Sequence, residues 1–326
     1  MIKVENLTKA FGPKVAVNNI SFTLERGEVL GFLGPNGAGK STSMRMITGF
    51  IPPTDGKVSV GGHDVVDDPI GAKKHIGYLP EAAPVYVDMT VRSFLTFCAE
   101  LSGMRGDALK RAVNKAVELC FLEPVLYQSV DTLSKGYRHR TCLAQAIVHD
   151  PPVLVMDEPT DGLDPNQKHE IRTLIRRMGE NKAIIFSTHI LEEVEAVCSR
   201  AIIIDRGTIV AEGTPEQLKR RSELGGAVRI TVRGIAAPQF AERLSAMPQV
   251  RKVAVLNNNG DATVRVYPHD GVGKDLNGEF VRGLLEASSC WQILDVRTEE
   301  GRLDEVFRNL TWSDAAKKSE PAAVVS

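Results

Sequence analysis

The sequence lacks an excess of charge of either sign: 40 basic residues stand against 41 acidic ones, leaving a formal net charge of −1. No chain-wide pull toward nucleic acid or an anionic membrane follows from that balance, and no nucleic-acid partner is expected. It also lacks paired or clustered cysteines. The five present, Cys98, Cys120, Cys142, Cys198 and Cys290, are odd in number and scattered. That pattern excludes a disulfide framework and a zinc site and fits a reducing compartment. Finally, the opening "MIKVENLTKAFG" has no apolar signal core, and no run approaches eighteen uncharged apolar residues. Apolar bursts such as "VLVM" are strand-sized, so the chain is not expected to span a membrane by itself.

What is present is ordinary globular material, 326 residues of which 43% are hydrophobic and 25% charged, enough for one large domain and a smaller one. Residues 1 to about 60 read as short β-rich segments ("KVENLTKAF", "VNNISFTL", "EVLGFLG"), a helix from Lys40 to about Gly49, and a further strand in "GKVSVGGHDV". Residues 90–149 are mostly helical in pattern. Beyond them "PVLVM", "AIIFST" and "AIIIDRG" are unbroken apolar runs suited to strands buried on both faces, with helical patterns at 165–179 and 190–198 between them. This alternation predicts a parallel α/β core. The pattern changes near "KRRSELGGAV", which places a domain boundary at about 223. Residues 224–310 read as β-α-β-β-α-β plus a last helix, an α+β order shared with ferredoxin-like sandwiches. The tail, 311–326, has little to bury and is expected to be disordered.

Two stretches carry chemistry. "GPNGAGKST" matches G-x-x-x-x-G-K-[ST] through Gly34, Gly39, Lys40 and Ser41, and lies between an apolar strand and a helix. Glycines let the backbone curl so that successive N–H groups face phosphates, and the helix start adds unpaired amides and a positive dipole end. Lys40 then supplies a charge for the β- and γ-phosphates, and Ser41 an oxygen for magnesium. In "VLVMDEPT", Asp157 and Glu158 end a buried strand, where a carboxylate needs a cationic or polar partner. Asp157 suits magnesium through water, and Glu158 suits a proton acceptor that orients the attacking water.

With "LSKGYRHR" at 133–140 between these two motifs, residues 1–220 resemble the ATPase subunit of ATP-binding cassette (ABC) transporters. The resemblance implies a P-loop NTPase core with an N-terminal antiparallel β subdomain and a helical subdomain carrying the signature loop. It further implies ATP and Mg2+ as cofactors and hydrolysis of ATP. Nucleotide contacts would come from Phe11, stacking on adenine, and from the loop Gly34, Pro35, Asn36, Gly37, Ala38, Gly39, Lys40, Ser41 and Thr42. Ser134 and Gly136 match the signature, Asp164 in "DGLDPNQ" sits in the loop after the catalytic glutamate, and His189 in "FSTHI" fits the switch histidine at the γ-phosphate. Catalysis would rest on Glu158, His189, Lys40 and Glu81, and metal binding on Ser41, Asp157 and Glu81.

The departures are informative. Lys135 and Tyr137 stand within a signature more often written LSGGQ, Asp161 stands where serine is frequent, and Glu81 in "GYLPE" stands where most members carry glutamine. A carboxylate at 81 adds charge beside phosphates and cannot donate a hydrogen bond while ionised. "YLPE" and "GRLDEVFRNLT" resemble the subgroup that powers exporters of lipids, polysaccharides, drugs or antibiotics, including the ATPases associated with gliding motility. The resemblance thus implies a separate integral-membrane permease, a homodimer or paired ATPase chain closing on ATP, and a place at the cytoplasmic face of the membrane. A soluble ABC ATPase in a non-transport assembly is the alternative, although there is no long coiled coil between the nucleotide motifs and only one cassette. A non-hydrolytic switch would be expected to lack Glu158 or His189, and both are present.

Overall fold

The computed structural model describes residues 1–82, 85–257, 260–269 and 278–311. The chain divides into two compact units, Met1–Pro215 and the residues from Glu216 onward. In the first unit, a sheet of six strands runs in the order 208–213, 200–205, 29–33, 183–188, 153–157, 76–79. All neighbours are parallel except the edge strand Thr208–Gly213, which pairs antiparallel with Arg200–Asp205. Val29–Leu33, Val153–Asp157 and Ala183–Thr188 are buried along their whole length, which is why their sequences show apolar runs and no alternation. Burial of each Val, Leu, Ile or Phe there contributes about 1.5–3 kcal/mol relative to exposure.

Against one face of this sheet lies a second, antiparallel sheet, Lys14–Leu24, Ile2–Phe11, Asp55–Val60 and His63–Asp64; Phe22 and Leu24 from it share a core cluster with Phe32, Met44 and Ile185. The other face packs with helices Val91–Leu101, Gly106–Leu119 and Lys135–Ile147 in a cluster containing Phe94, Val113, Leu143 and Phe186. These helices occupy the stretch expected to be helical. Two strands have no counterpart among the elements expected from the sequence: Ile76–Leu79 and Thr208–Gly213.

The second unit has the expected β-α-β-β-α-β order, with strands arranged 250–257, 262–268, 228–233, 292–298, all antiparallel. Val228, Ile230 and Val232 alternate inward and meet Phe240, Leu244 and Leu284 from helices Ala237–Ser245 and Glu279–Ser288. Residues 216–223, which the sequence reading grouped with the first domain, sit in the second unit. Leu218 is buried there, and Glu305 of the last helix accepts hydrogen bonds from Ser222 Oγ (3.1 Å) and the Glu223 amide (2.7 Å). Of the tail expected to be disordered, 312–326 lies outside the described residues.

Candidate functional site

The phosphate-type loop leaves the buried strand Val29–Leu33 and enters helix Lys40–Ile47. Gly39 has φ 109°, and a Cβ there would lie 2.6 Å from the Ala16 carbonyl oxygen, so no other residue fits without moving backbone. The loop is pinned by Ala38, whose carbonyl accepts from the Gly207 amide (2.9 Å) while its own amide donates to Pro35 O (3.2 Å). Lys40, 5% exposed, folds back over the loop: Nζ donates to Gly34 O (2.7 Å) and Pro35 O (3.3 Å) and lies 3.6 Å from Glu158 Oε1. A buried ammonium is thereby aimed into the loop's mouth with a carboxylate beside it.

Asp157, 1% exposed, ends its strand directly behind Ser41. Its Oδ1 accepts from Ser41 Oγ (3.1 Å) and Ser187 Oγ (2.5 Å), whereas Oδ2 is buried with no hydrogen-bond partner. Leaving such an acceptor unmet costs about 1–3 kcal/mol or more for a charged group, so the geometry calls for a cation or bound water. A hard cation such as Mg2+ fits: it takes oxygen ligands, keeps several waters, and needs only one or two protein groups beside phosphate oxygens. Among the described residues no group of three or more His, Cys, Asp or Glu forms a cage of its own.

Glu158 follows in the left-handed region at φ 51°, a conformation that costs a non-glycine residue on the order of 1 kcal/mol or more. The neighbouring strand imposes it, since the Glu158 amide donates to Ser187 Oγ (3.0 Å) and Ser187 O (3.3 Å). The turn aims the two carboxylate oxygens in different directions: Oε1 toward Lys40, Oε2 to His189 Nδ1 at 3.0 Å. Burial pushes the Glu158 carboxyl above the usual glutamate range, opposed by the charges of His189 and Lys40 and by the His189 hydrogen bond. A half-desolvated carboxylate held between two basic groups is suited to accepting a proton from water.

Phe11, Pro35, Asn36, Gly37, Gly39, Lys40, Ser41, Thr42, Glu81 and Glu158 line one cleft of about 400 Å³, together with Lys14 and Ala16. Phe11 is half exposed, with Lys9 Nζ 5.2 Å from the centre of its ring. Gly34 and Ala38 complete the loop behind the cleft wall, and His189 joins through Glu158. Ser134, Gly136 and Asp164 are not among the residues lining this cleft. Ser134 caps helix Lys135–Ile147, accepting from the Tyr137 amide at 3.4 Å; a Cβ at Gly136 would lie 2.6 Å from Gln167 Oε1. Asp164 caps helix Pro165–Gly179, accepting from the Gln167 amide at 2.9 Å.

Sequence reasoning missed Ser187, Lys14 and Ala16. Ser187 was findable: it stands two residues before His189, and the parallel register places it opposite Asp157. Lys14 and Ala16 come from the strand after Phe11, with no motif to mark them.

The chain matches the family described as ABC transporter over residues 17–161. It is 34% identical to the linearmycin resistance ATP-binding protein LnrL of Bacillus subtilis (strain 168) over 95% of this chain and 98% of that protein. It is 37% identical to the Nod factor export ATP-binding protein I of Burkholderia lata, covering 78% of this chain and 83% of that one. Its fold resembles the dimeric post-hydrolysis structure of the ATP-binding cassette MJ0796 bound to ADP and Pi, with a TM-score of 0.61 and 23% identity over 66% of this chain and 99% of that chain. With the phosphate loop and Glu158 on the wall of one cleft and Asp157 buried behind Ser41, this chain belongs to the ATP-binding subunits of ABC transporters, and it is an ATPase.

Proposed function

We propose that the chain couples ATP-driven closure of a dimer to export through a separate membrane permease, and that it acts at the cytoplasmic face of the membrane. Lys40 and the 34–42 loop would hold the triphosphate, Phe11 the adenine, Ser41 and Asp157 the Mg2+ with Glu81 nearby, and Glu158 would take the proton of the attacking water beside His189. Held by Ser41 and Asp157, Mg2+ would supply charge neutralisation at the phosphates. The names of the relatives support export, and no helix among the described residues is long and apolar enough to cross a membrane. Nucleotide work belongs on this reading to the first unit. The second carries none of the nucleotide motifs and is accessory.

The observation that carries the dimer is the placement of Ser134 and Gly136. They stand at a tight helix start outside the cleft of Lys40, yet a hydroxyl, a glycine amide and the positive end of a helix suit a γ-phosphate. A head-to-tail pair resolves this, each ATP lying between one chain's Lys40 loop and the other chain's Ser134 helix. Mixing a Lys40→Ala chain with a Ser134→Arg chain tests it, because mixed dimers hold one doubly damaged site and one intact site. Recovery of ATPase activity with verified subunit exchange is expected. Normal hydrolysis by Ser134→Arg as a demonstrated monomer would overturn the shared site.

A further inference from the structure

One buried carboxylate in the first unit lies outside every motif considered so far. Glu193, 1% exposed, sits in the helix Leu191–Val197 just after His189. Its Oε2 accepts from Thr188 Oγ1 at 2.7 Å, its Oε1 accepts from Thr160 Oγ1, and Arg172 Nη2 lies 3.5 Å from Oε1. Two hydroxyls and a guanidinium thus meet a charge that burial alone would make costly. Thr188 precedes His189, and its hydroxyl also accepts from the Ile190 amide (3.0 Å), so it braces the backbone on both sides of the histidine. Thr160 lies two residues after Glu158, in a segment that His139 of helix Lys135–Ile147 also grips, through a hydrogen bond to Pro159 O of 2.6 Å.

The arrangement is a clamp with two ends. One holds the loop that follows the glutamate, the other holds the end of the strand that delivers the histidine, and both close on the same carboxylate. We propose that Glu193 is a positioning residue for ATP hydrolysis: by bonding Thr160 and Thr188 together it fixes the separation of Glu158 and His189 in the attacking geometry. This rests on the reading of Glu158 as the base. Glu193 itself does not line the cleft, so its loss acts on turnover and leaves nucleotide capture by the Lys40 loop in place. The threonines are suited to the task because their hydroxyls donate, whereas an isosteric valine would keep the packing and remove the bond.

The test uses the full chain and measures ATP affinity and kcat per folded protein for Glu193→Gln, Thr188→Val, Thr188→Ser and Glu158→Gln. Glu193→Gln and Thr188→Val are expected to lower kcat about tenfold or more with ATP affinity within about twofold, as small misplacements of reacting groups do. Thr188→Ser, which restores the hydroxyl, is expected to recover most of that loss. The proposal is overturned if kcat per folded protein stays within about twofold in Thr188→Val, or if affinity falls as far as kcat, or if serine rescues nothing. Should Glu193→Gln not fold, the threonine variants decide alone. Near-normal turnover in Glu158→Gln would sink the base assignment instead, and that outcome is read separately from the clamp.

Discussion

Lys135 Nζ lies 3.3 Å from Asp161 Oδ2, so two of the residues that depart from the usual family pattern face one another. Both side chains are exposed, and an exposed pair contributes only about 0–1 kcal/mol to stability. Its effect is local. A lysine in the first turn of helix Lys135–Ile147 opposes the positive end of the helix dipole, and Asp161 offsets that charge. Asp161→Ser alone should therefore alter ATPase activity more than the double variant Lys135→Gly/Asp161→Ser, with stability within about 0.5 kcal/mol throughout. Strictly additive effects on activity would reduce the pair to neighbours.

Lys40 and Glu158 touch, yet their loss should read out differently. Lys40→Ala removes the loop's ammonium and should weaken ATP binding. Glu158→Gln keeps the shape and should leave binding intact while slowing turnover on the order of 10²-fold or more. Calorimetric titration with ATP and steady-state phosphate release separate the two.

Glu81 lines the same cleft as Lys40, Ser41 and Glu158. Glu81→Gln restores the residue most of the family carries, removing one negative charge beside the phosphates, and should keep at least part of the ATPase activity. Complete loss in a variant with an unaltered circular dichroism spectrum would show that the carboxylate is required here.

The parallel sheet predicts an acid sensitivity of its own. Glu28, just ahead of strand Val29–Leu33, is bonded by Arg200, which starts the neighbouring strand and also donates to Thr23 O. Burial pushes the Glu28 carboxyl up, but Arg200 and the Glu25 amide outweigh it and hold the carboxyl below the usual range. A depressed carboxyl contributes stability that is present above its unfolded pKa, about 4.3, and is lost as pH falls through the lower folded value. Glu28→Gln should thus be less stable than the natural chain at neutral pH by about 1 kcal/mol, with the two denaturation curves converging in acid. A gap that stays constant with pH would assign the loss to packing.

Legibility in the sequence followed locality. The phosphate loop and the Asp157–Glu158 pair were readable because each is contiguous, and the buried strands because a run such as Val153–Met156 has no alternation to confuse. Ile76–Leu79 escaped because it is four residues long, holds a glycine and a tyrosine, and lies at the edge of the sheet. Ser187 and Glu193 acquire meaning only through partners about 30 residues away in sequence, set by strand register and by a helix turning back on its own strand. The division of the chain shifted from 223 for a similar reason: the charge run 219–223 looks like a linker until Glu305 is brought against Ser222.

The central strand Val29–Leu33 pairs on one side with Ala183–Thr188 and on the other with Arg200–Asp205. Gly34, the first residue of the phosphate loop, packs so closely on Ile204 that a Cβ would lie 2.4 Å from its carbonyl oxygen. During synthesis the loop therefore leaves the ribosome long before the strands that shape it. At about 5–20 residues per second, some 170 residues mean a wait of roughly 10–35 seconds. Over that interval the apolar run "VLGFL" lacks one or both of its strand neighbours, although Phe22 and Met44 are already made, and nucleotide is not expected to act as a folding template until the last of the flanking strands is out. A ribosome-bound chain stalled with only residues up to 180 emerged should not be protected from proteolysis by ATP, whereas one with residues up to 215 emerged should be.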